Sequence, residues 1–315
     1  MTRHVVVLAG GLSHERDVSL RSGSRLHESL LGRGLEVTQR DTDGELIGWL
    51  AAHRPDAAVI VLHGSRGENG AIQSILEMAG LPYVGSVASS CRLSYEKNIA
   101  KNLVRRAGFS TPDWVSLSHS TFRDLGASAL MDLLIGHLGL PLMVKPQHGG
   151  SALGSASVRT AEELPAALVG AFAYGEIALV EQFVDGTEIA VTVLDTPDGP
   201  AALPVVEIEP RSGVFDYESR YTAGLTTYYT PARLPAETTS AVTALAIGAH
   251  RTLGLRDVSR TDAIVAPDGA VQFLEVNVSP GLTETSLLPM SVEAAGRDIG
   301  GVYAELIERA VGRGA

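Results

Sequence analysis

Arg260, Asp262, Glu275 and Asn277 are residues whose types and spacing promise chemistry. In Phe273-Leu274-Glu275-Val276-Asn277 apolar and polar side chains alternate, so Glu275 and Asn277 project from one face of a strand. Val258 to Val265 reads as a second strand that brings Asp262 beside them. Three hard oxygen donors with no Cys or His among them suit Mg²⁺ and the phosphates that travel with it. Arg260, two residues from Asp262 on the same face, adds a permanent positive charge. A solvated strand edge would account for Asp262 alone but accounts poorly for all four. The stretch reads as a metal-phosphate site.

A phosphate-bearing ligand needs further anchors. The G-x-x-x-x-G-K-[ST] and G-x-G-x-x-G spacings are both absent, so a nucleotide is held in another way. Lys145 at a strand end, followed by Gly149-Gly150-Ser151, offers a point charge and a backbone able to wrap phosphate oxygens. Glu181-Gln182-Phe183-Val184 offers a carboxylate and backbone groups beside an apolar wall, as an adenine edge requires, and Glu188 could accept from ribose hydroxyls. Each has a plainer reading taken singly, Lys145 as a solvated strand terminus and Glu181 as a surface acid.

These residues have to be positioned by a mixed α/β chain. The 315 residues allow two or three units with buried cores, and 45% hydrophobic with 19% charged residues is ordinary globular composition. A net charge of −11 argues against a general affinity for nucleic acid or anionic membrane. One cysteine, Cys91, excludes an internal disulfide and reads as a small packed residue. The apolar run at the start is too short for a signal peptide or membrane span, so cytoplasm is the default expectation.

His4–Ala9 and Ala57–Leu62 read as buried parallel strands, with helices predicted near 18–32 and 71–79. This βαβ texture predicts a small doubly wound sheet with ligands at the carboxyl ends of its strands, where the loops 10–19 and 63–70 lie. Further on, the pattern predicts a helix carrying Lys97 and Lys101, strands at 142–146, 177–184 and 188–193, and helices at 161–172 and 238–253. The polar segment 210–231 is long for a structureless connection, and such segments are often lids.

Taken in order, the motifs resemble the ATP-grasp superfamily and, within it, the D-alanine–D-alanine ligase family, over nearly the whole chain. The resemblance rests on Gly10-Gly11 through Ser19 with Glu15, His63-Gly-x-x-Gly-Glu68, Pro82-Tyr83-x-Gly85-Ser86, Lys97, Lys145-Pro146 and Gly150-Ser151. It continues through Asp216-Tyr217-x-x-Arg220-Tyr221, Arg260-x-Asp262 and Glu275-Val-Asn277-x-x-Pro280-Gly281-x-Thr283-x-x-Ser286-Leu287-x-Pro289. It implies an α/β (α+β overall) ATP-grasp fold with three units: an N-terminal βαβ substrate unit at 1–90, a central lid unit at 91–181 and a metal-bearing catalytic unit at 182–315.

The implied chemistry is phosphorylation of one D-alanine carboxylate by ATP and attack of a second D-alanine's amine on the acyl phosphate. By resemblance Asp262, Glu275 and Asn277 hold two Mg²⁺, for which Mn²⁺ could substitute. Lys97, Lys145 and Arg220 meet ATP phosphates, and Glu181, Val184 and Glu188 surround the nucleoside. Arg260 and the Gly281 amide stabilise the tetrahedral oxyanion. Glu15 pairs with the first substrate's ammonium, while Ser151 and Tyr221 bridge to Glu15 and pin the lid. His63 lies near the first substrate; Ser286 and Leu287 receive the second substrate's carboxylate at a helix start. A cytoplasmic homodimer acting on small molecules, with neither nucleic acid nor membrane as partner, is the implied setting.

The chain departs from the family pattern in four places. Arg220 replaces the lid lysine, Ala152 the second serine of the glycine-rich loop, Asn69 an aspartate and Val278 a threonine. The departures leave room for an ATP-dependent carboxylate–amine ligase of other amino acids, or for a nucleotide-binding regulator without catalysis. A dinucleotide-binding oxidoreductase fits the N-terminal texture but leaves the acidic strands unexplained. Within the family, ester-forming members carry histidine in place of the tyrosine motif, so Tyr221 favours an amine as second nucleophile.

Overall fold

The computed structural model describes residues 2–222 and 224–314, with Tyr221 described by its backbone alone. The first sheet is parallel, in the spatial order Glu36–Arg40, His4–Leu8, Ala57–Ile60, Tyr83–Val84. Continuous apolar runs such as Val5-Val6-Val7-Leu8 are buried on both faces, as a parallel sheet demands. Helices Arg16–Leu31 and Ile299–Arg313 cover one face through Leu26, Leu30, Val302 and Ile307. Helices Leu46–His53 and Ala71–Met78 cover the other through Leu46, Leu50, Ile72 and Leu76. Strand order reverses between His4–Leu8 and Ala57–Ile60, and the loops leaving those two strands carry Glu15 and His63.

The second sheet is antiparallel and ordered Trp114–Ser118, Ile177–Gln182, Leu142–Pro146, Ala156–Val158. Helices Ala127–Leu138 and Leu164–Phe172 pack on it around Leu142, Val144 and Val180. The third sheet, also antiparallel, runs Thr226–Tyr229, Val206–Pro210, Thr187–Thr196, Val258–Val265, Val271–Asn277, with Gly199–Ala202 hairpinned onto Thr187–Thr196. Its core is Val191, Val193, Ala263 and Phe273 against helices Ala236–Thr252 and Lys97–Arg106.

Several elements differ from the sequence reading. The loop 63–70 contains a one-turn helix, Ser65–Glu68, opened by Gly64 at φ 65° and ψ −154°. The helix expected around Lys97 and Lys101 is two helices, Ala88–Tyr95 and Lys97–Arg106, broken at Glu96. The segment 210–231 is structured: it carries the helix Tyr217–Tyr221, capped by Asp216 Oδ1 on the Ser219 amide at 2.9 Å, and the strand Thr226–Tyr229. Periodicity missed the half-buried strands Glu36–Arg40 and Trp114–Ser118, whose polar residues mask the pattern.

Candidate active site

Pairing of the strands Val258–Val265 and Val271–Asn277 places Asp262 opposite Glu275 and Arg260 opposite Asn277. All four side chains therefore share one face, which is the arrangement the alternation predicts. The ladder shifts register just after Asp262, a bulge at the site's edge. Arg260 donates from Nε and Nη2 to Asp262 Oδ1 and Oδ2 at 2.7 and 2.8 Å, a planar fork on a planar acceptor. Burial would lower Arg260, but Asp262 and Glu275 hold it above the ordinary arginine range. Glu275 shows the opposite balance: burial would raise it, yet Lys97, Lys145, Arg220 and Arg260 together pull it down to about 2.

Asp262, Glu275 and Asn277 present two carboxylates and an amide oxygen, although Asn277 Oδ1 also accepts from the Ser279 amide at 2.8 Å. Among the described residues no cluster of three or more His, Cys, Asp or Glu side chains forms a metal cage. The donor set therefore fits a hard cation that keeps water and phosphate oxygens in its remaining positions, and does not fit zinc.

Lys97 and Lys101 lie one turn apart on the buried face of Lys97–Arg106. Lys97 donates to the Gly149 carbonyl at 2.5 Å and lies 3.3 Å from Glu275 Oε2. Lys101 donates to Glu181 Oε2 at 2.7 Å, and Lys145 reaches Glu181 Oε1 at 2.6 Å. Burial would raise Glu181, but the two lysines hold it below the usual carboxylate range. The lysines themselves diverge. Burial pushes Lys101 down to about 8 despite Glu181, whereas Lys145 also faces Glu275 and Glu188 and is raised. Glu181 was read from sequence as a carboxylate at an adenine edge; in the structure both oxygens already carry a lysine.

A cleft between the second and third sheets gathers Lys97, Lys145, Glu181, Val184, Glu188, Arg220, Asp262 and Glu275, with Phe183, Ile208, Phe215 and Ile264 as apolar walls. Glu188 is half-buried, and desolvation, with Asp262 and Glu275 nearby, raises it to about 7 against the pull of Arg220. Arg220 stacks on Phe215 at 4.1 Å from the ring centroid and donates to the Phe215 carbonyl at 3.2 Å.

A second, smaller pocket opens next to the first and shares Arg220 with it. It is lined by Glu15, His63, Glu68, Ser151, Arg260, Asn277, Gly281, Ser286 and Leu287. Ser151 Oγ donates to Glu15 Oε1 at 2.6 Å, tying the glycine-rich loop to the first sheet. Ser151 and Ala152 both sit in left-handed backbone conformations, at φ 56° and 55°. Burial raises Glu15. His63 places Nδ1 3.0 Å from the Ser279 carbonyl, so Nδ1 carries the proton and Nε2 is a lone-pair acceptor. Burial and then Arg260 outweigh that bond and lower His63 to about 4, which keeps the ring neutral.

Ser286 stands at the N-cap position of the helix Leu287–Ala294 without bonding its first turn, and its Oγ accepts instead from the Thr283 amide at 3.0 Å. Gly281 leaves room for that hydroxyl: a Cβ there would stand 2.8 Å from Ser286 Oγ. The side chain of Tyr221 lies outside the described residues. Two residues escaped the sequence reading of roles, one lining the smaller pocket and one buried behind the cleft. Glu68 belongs to the His63-Gly-x-x-Gly-Glu68 motif and is pushed up to about 8 by burial and by Glu15. Lys101 was visible only as the residue one turn after Lys97.

Two family models match the chain: "D-ala D-ala ligase N-terminus" over residues 38–86 and "D-ala D-ala ligase C-terminus" over 103–310. A D-alanine–D-alanine ligase of Nitratidesulfovibrio vulgaris is 43% identical over 96% of this chain and 97% of its own length. That of Pelotomaculum thermopropionicum is 36% identical over 99% and 98%. Among solved structures, the Bacillus anthracis D-alanine–D-alanine ligase complexed with ATP superimposes with a TM-score of 0.82 at 30% identity, covering 99% of this chain and 98% of that one. The VanG D-Ala:D-Ser ligase of Enterococcus faecalis gives 0.82 at 29% identity, covering 98% and 100%. With both family models matched and full-length relatives well above 30% identity, this chain belongs to the D-alanine–D-alanine ligase family and has its ATP-grasp fold.

Proposed function

We propose that the chain joins two D-alanines at the expense of ATP, giving D-alanyl-D-alanine, ADP and phosphate for peptidoglycan precursors. The observation that carries this is the meeting of the nucleotide cleft and the smaller polar pocket at Arg220, Arg260, Asp262 and Glu275. ATP lies in the cleft, with its base beside Val184 and Glu181, its ribose toward Glu188, and its phosphates toward Lys97, Lys145 and Arg220. The first D-alanine lies in the pocket, its ammonium on Glu15 and its carboxylate toward the γ-phosphate, with neutral His63 beside it.

The carboxylate oxygen displaces ADP from the γ-phosphorus, forming an acyl phosphate. Both reactants are anions, so Lys97, Lys145 and Arg220 offset the repulsion as the bond forms. Asp262, Glu275 and Asn277 would hold Mg²⁺, with Mn²⁺ as a substitute, and that cation supplies further neutralisation of the phosphate charge. The amine of the second D-alanine, its carboxylate received by Ser286 and Leu287 at the helix start, then attacks the acyl carbon. Arg260 and the Gly281 amide stabilise the resulting oxyanion, which collapses to dipeptide and phosphate. Ser151 ties the glycine-rich loop to Glu15, closing the site against water, which would hydrolyse the acyl phosphate.

The same reading divides the chain into units at 1–90, 91–181 and 182–315, and has it work in the cytoplasm as a homodimer on small molecules, apart from nucleic acid and membrane. Among the described residues no helix is long and apolar enough to cross a membrane.

The test is phosphate release from ATP and Mg²⁺ with D-alanine, L-alanine or no amino acid, with products identified by mass. D-alanine-dependent release matched by dipeptide is expected. Release only with another amino acid would mean a divergent carboxylate–amine ligase, and no release by folded protein a nucleotide-binding regulator. Supplying D-lactate alongside D-alanine at neutral pH should still give dipeptide over ester.

A further inference from the structure

Lys101 is wholly buried, yet it meets neither the cleft nor the smaller pocket. An ammonium held so far from water is costly unless it is paired, and its pair is Glu181 Oε2 at 2.7 Å. The Trp114 ring lies over its other side at 5.3 Å, and Arg105 stacks on the same ring at 4.5 Å. Glu181 in turn holds Lys145 through Oε1 at 2.6 Å. The three charges form a line from the interior to the cleft: cation, anion, cation. Their sum is one positive charge, and only Glu181 and Lys145 reach the cleft wall.

We propose that Lys101 is a positioning residue for nucleotide recognition, which acts through Glu181 to keep Lys145 available to phosphate and to set the preference for adenine over guanine. The inference rests on ATP occupying the cleft as described above. With Lys101 present, Lys145 only shares the charge of Glu181. Without Lys101, Glu181 and Lys145 become a neutral pair, and the attraction for a polyphosphate weakens. The carboxylate also loses its rear anchor. An anchored carboxylate oxygen at the base edge accepts from the exocyclic amine of adenine and repels the carbonyl that guanine presents there. A carboxylate held by Lys145 alone turns more freely and discriminates less.

The experiment compares wild type, Lys101→Met, Glu181→Gln and the double variant in the D-alanine-dependent assay, with ATP or GTP as the nucleotide. For Lys101→Met the KM for ATP should rise about tenfold or more, as for a lost buried charge-assisted contact. The ratio of kcat/KM for ATP to that for GTP should fall by a similar factor, and the KM for D-alanine should stay within about twofold. The double variant should be no worse than Glu181→Gln alone, because Lys101 has nothing left to act through. Equal losses on ATP and D-alanine with an unchanged ATP-to-GTP ratio would overturn the proposal, leaving Lys101 a packing residue. So would losses that multiply in the double variant. Should Lys101→Met fail to fold, the double variant, which leaves no unpaired acid, still decides against Glu181→Gln: a further fall in the ratio refutes the proposal. If the wild type shows no saturable ATP dependence, the reading of the cleft fails first and this inference falls with it.

Discussion

Arg260 is bound through Nε and Nη2 to Asp262, so its charge is fixed where the proposed reaction develops an oxyanion between it and Gly281. Arg260→Ala removes that charge and should lower kcat by roughly 10²–10³, the usual loss for one oxyanion donor. Steady-state rates with saturating ATP and D-alanine would measure it. Glu68 makes a pH prediction. Its carboxyl is pushed from 4.5 up to about 8 by burial beside Glu15, so the folded chain holds this proton more tightly than the unfolded chain. The stability it contributes is full below about 4.5 and is lost as pH rises through about 8. Thermal melts of the ligand-free protein should therefore show Glu68→Gln gaining on the wild type between pH 5 and 8.5, by roughly 3 °C or more. A constant difference across that range would contradict the assignment. At this scale much was legible: alternation in 273–277 was enough to align Glu275 with Asn277. Lys101 was not, because a buried charge is set by what packs over it and not by its neighbours in sequence.

Glycine placement decides how closely the elements approach one another around Glu15. Gly64 has φ 65°, and a Cβ there would lie 2.4 Å from Glu15 Oε2; a Cβ on Gly150 would lie 2.9 Å from Glu15 Oε1. Glu15 is thus wedged between the loop after Ala57–Ile60 and the glycine-rich loop. Gly64→Ala should displace the carboxylate, raise the KM for D-alanine about tenfold and cost about 1–3 kcal/mol from the left-handed backbone. Initial rates and denaturant unfolding would read the two effects separately. The sequence marked both loops by composition, but it could not show that they converge on one carboxylate from different sheets. It also left 210–231 without structure, because a five-residue helix and a four-residue strand are too short to establish a period.

Across the whole molecule, Asp257 joins the first sheet to the third. It is fully buried with φ 65°, receives Arg313 from the last helix at 3.0 and 2.9 Å, and accepts from the Gly85 amide at 2.9 Å. Arg313→Ala would leave this buried carboxylate with only the more distant Arg256, whose Nε lies 3.9 Å away. Urea unfolding should show a loss of about 3 kcal/mol, while the KM values stay within about twofold. Such long-range pairs, 56 residues apart in sequence, carry no local signature. The fold class was legible from βαβ texture and motif order, whereas the packing of one sheet on another was not.

Phosphorylation of a D-alanine carboxylate before the amide bond forms can be followed directly with isotope. D-alanine labelled with ¹⁸O in its carboxylate is turned over with ATP and Mg²⁺, and the phosphate and dipeptide are weighed. The expected products are D-alanyl-D-alanine and phosphate that has gained one ¹⁸O from the amino acid. Dipeptide accompanied by unlabelled phosphate, or labelled phosphate without dipeptide, would contradict that order of steps.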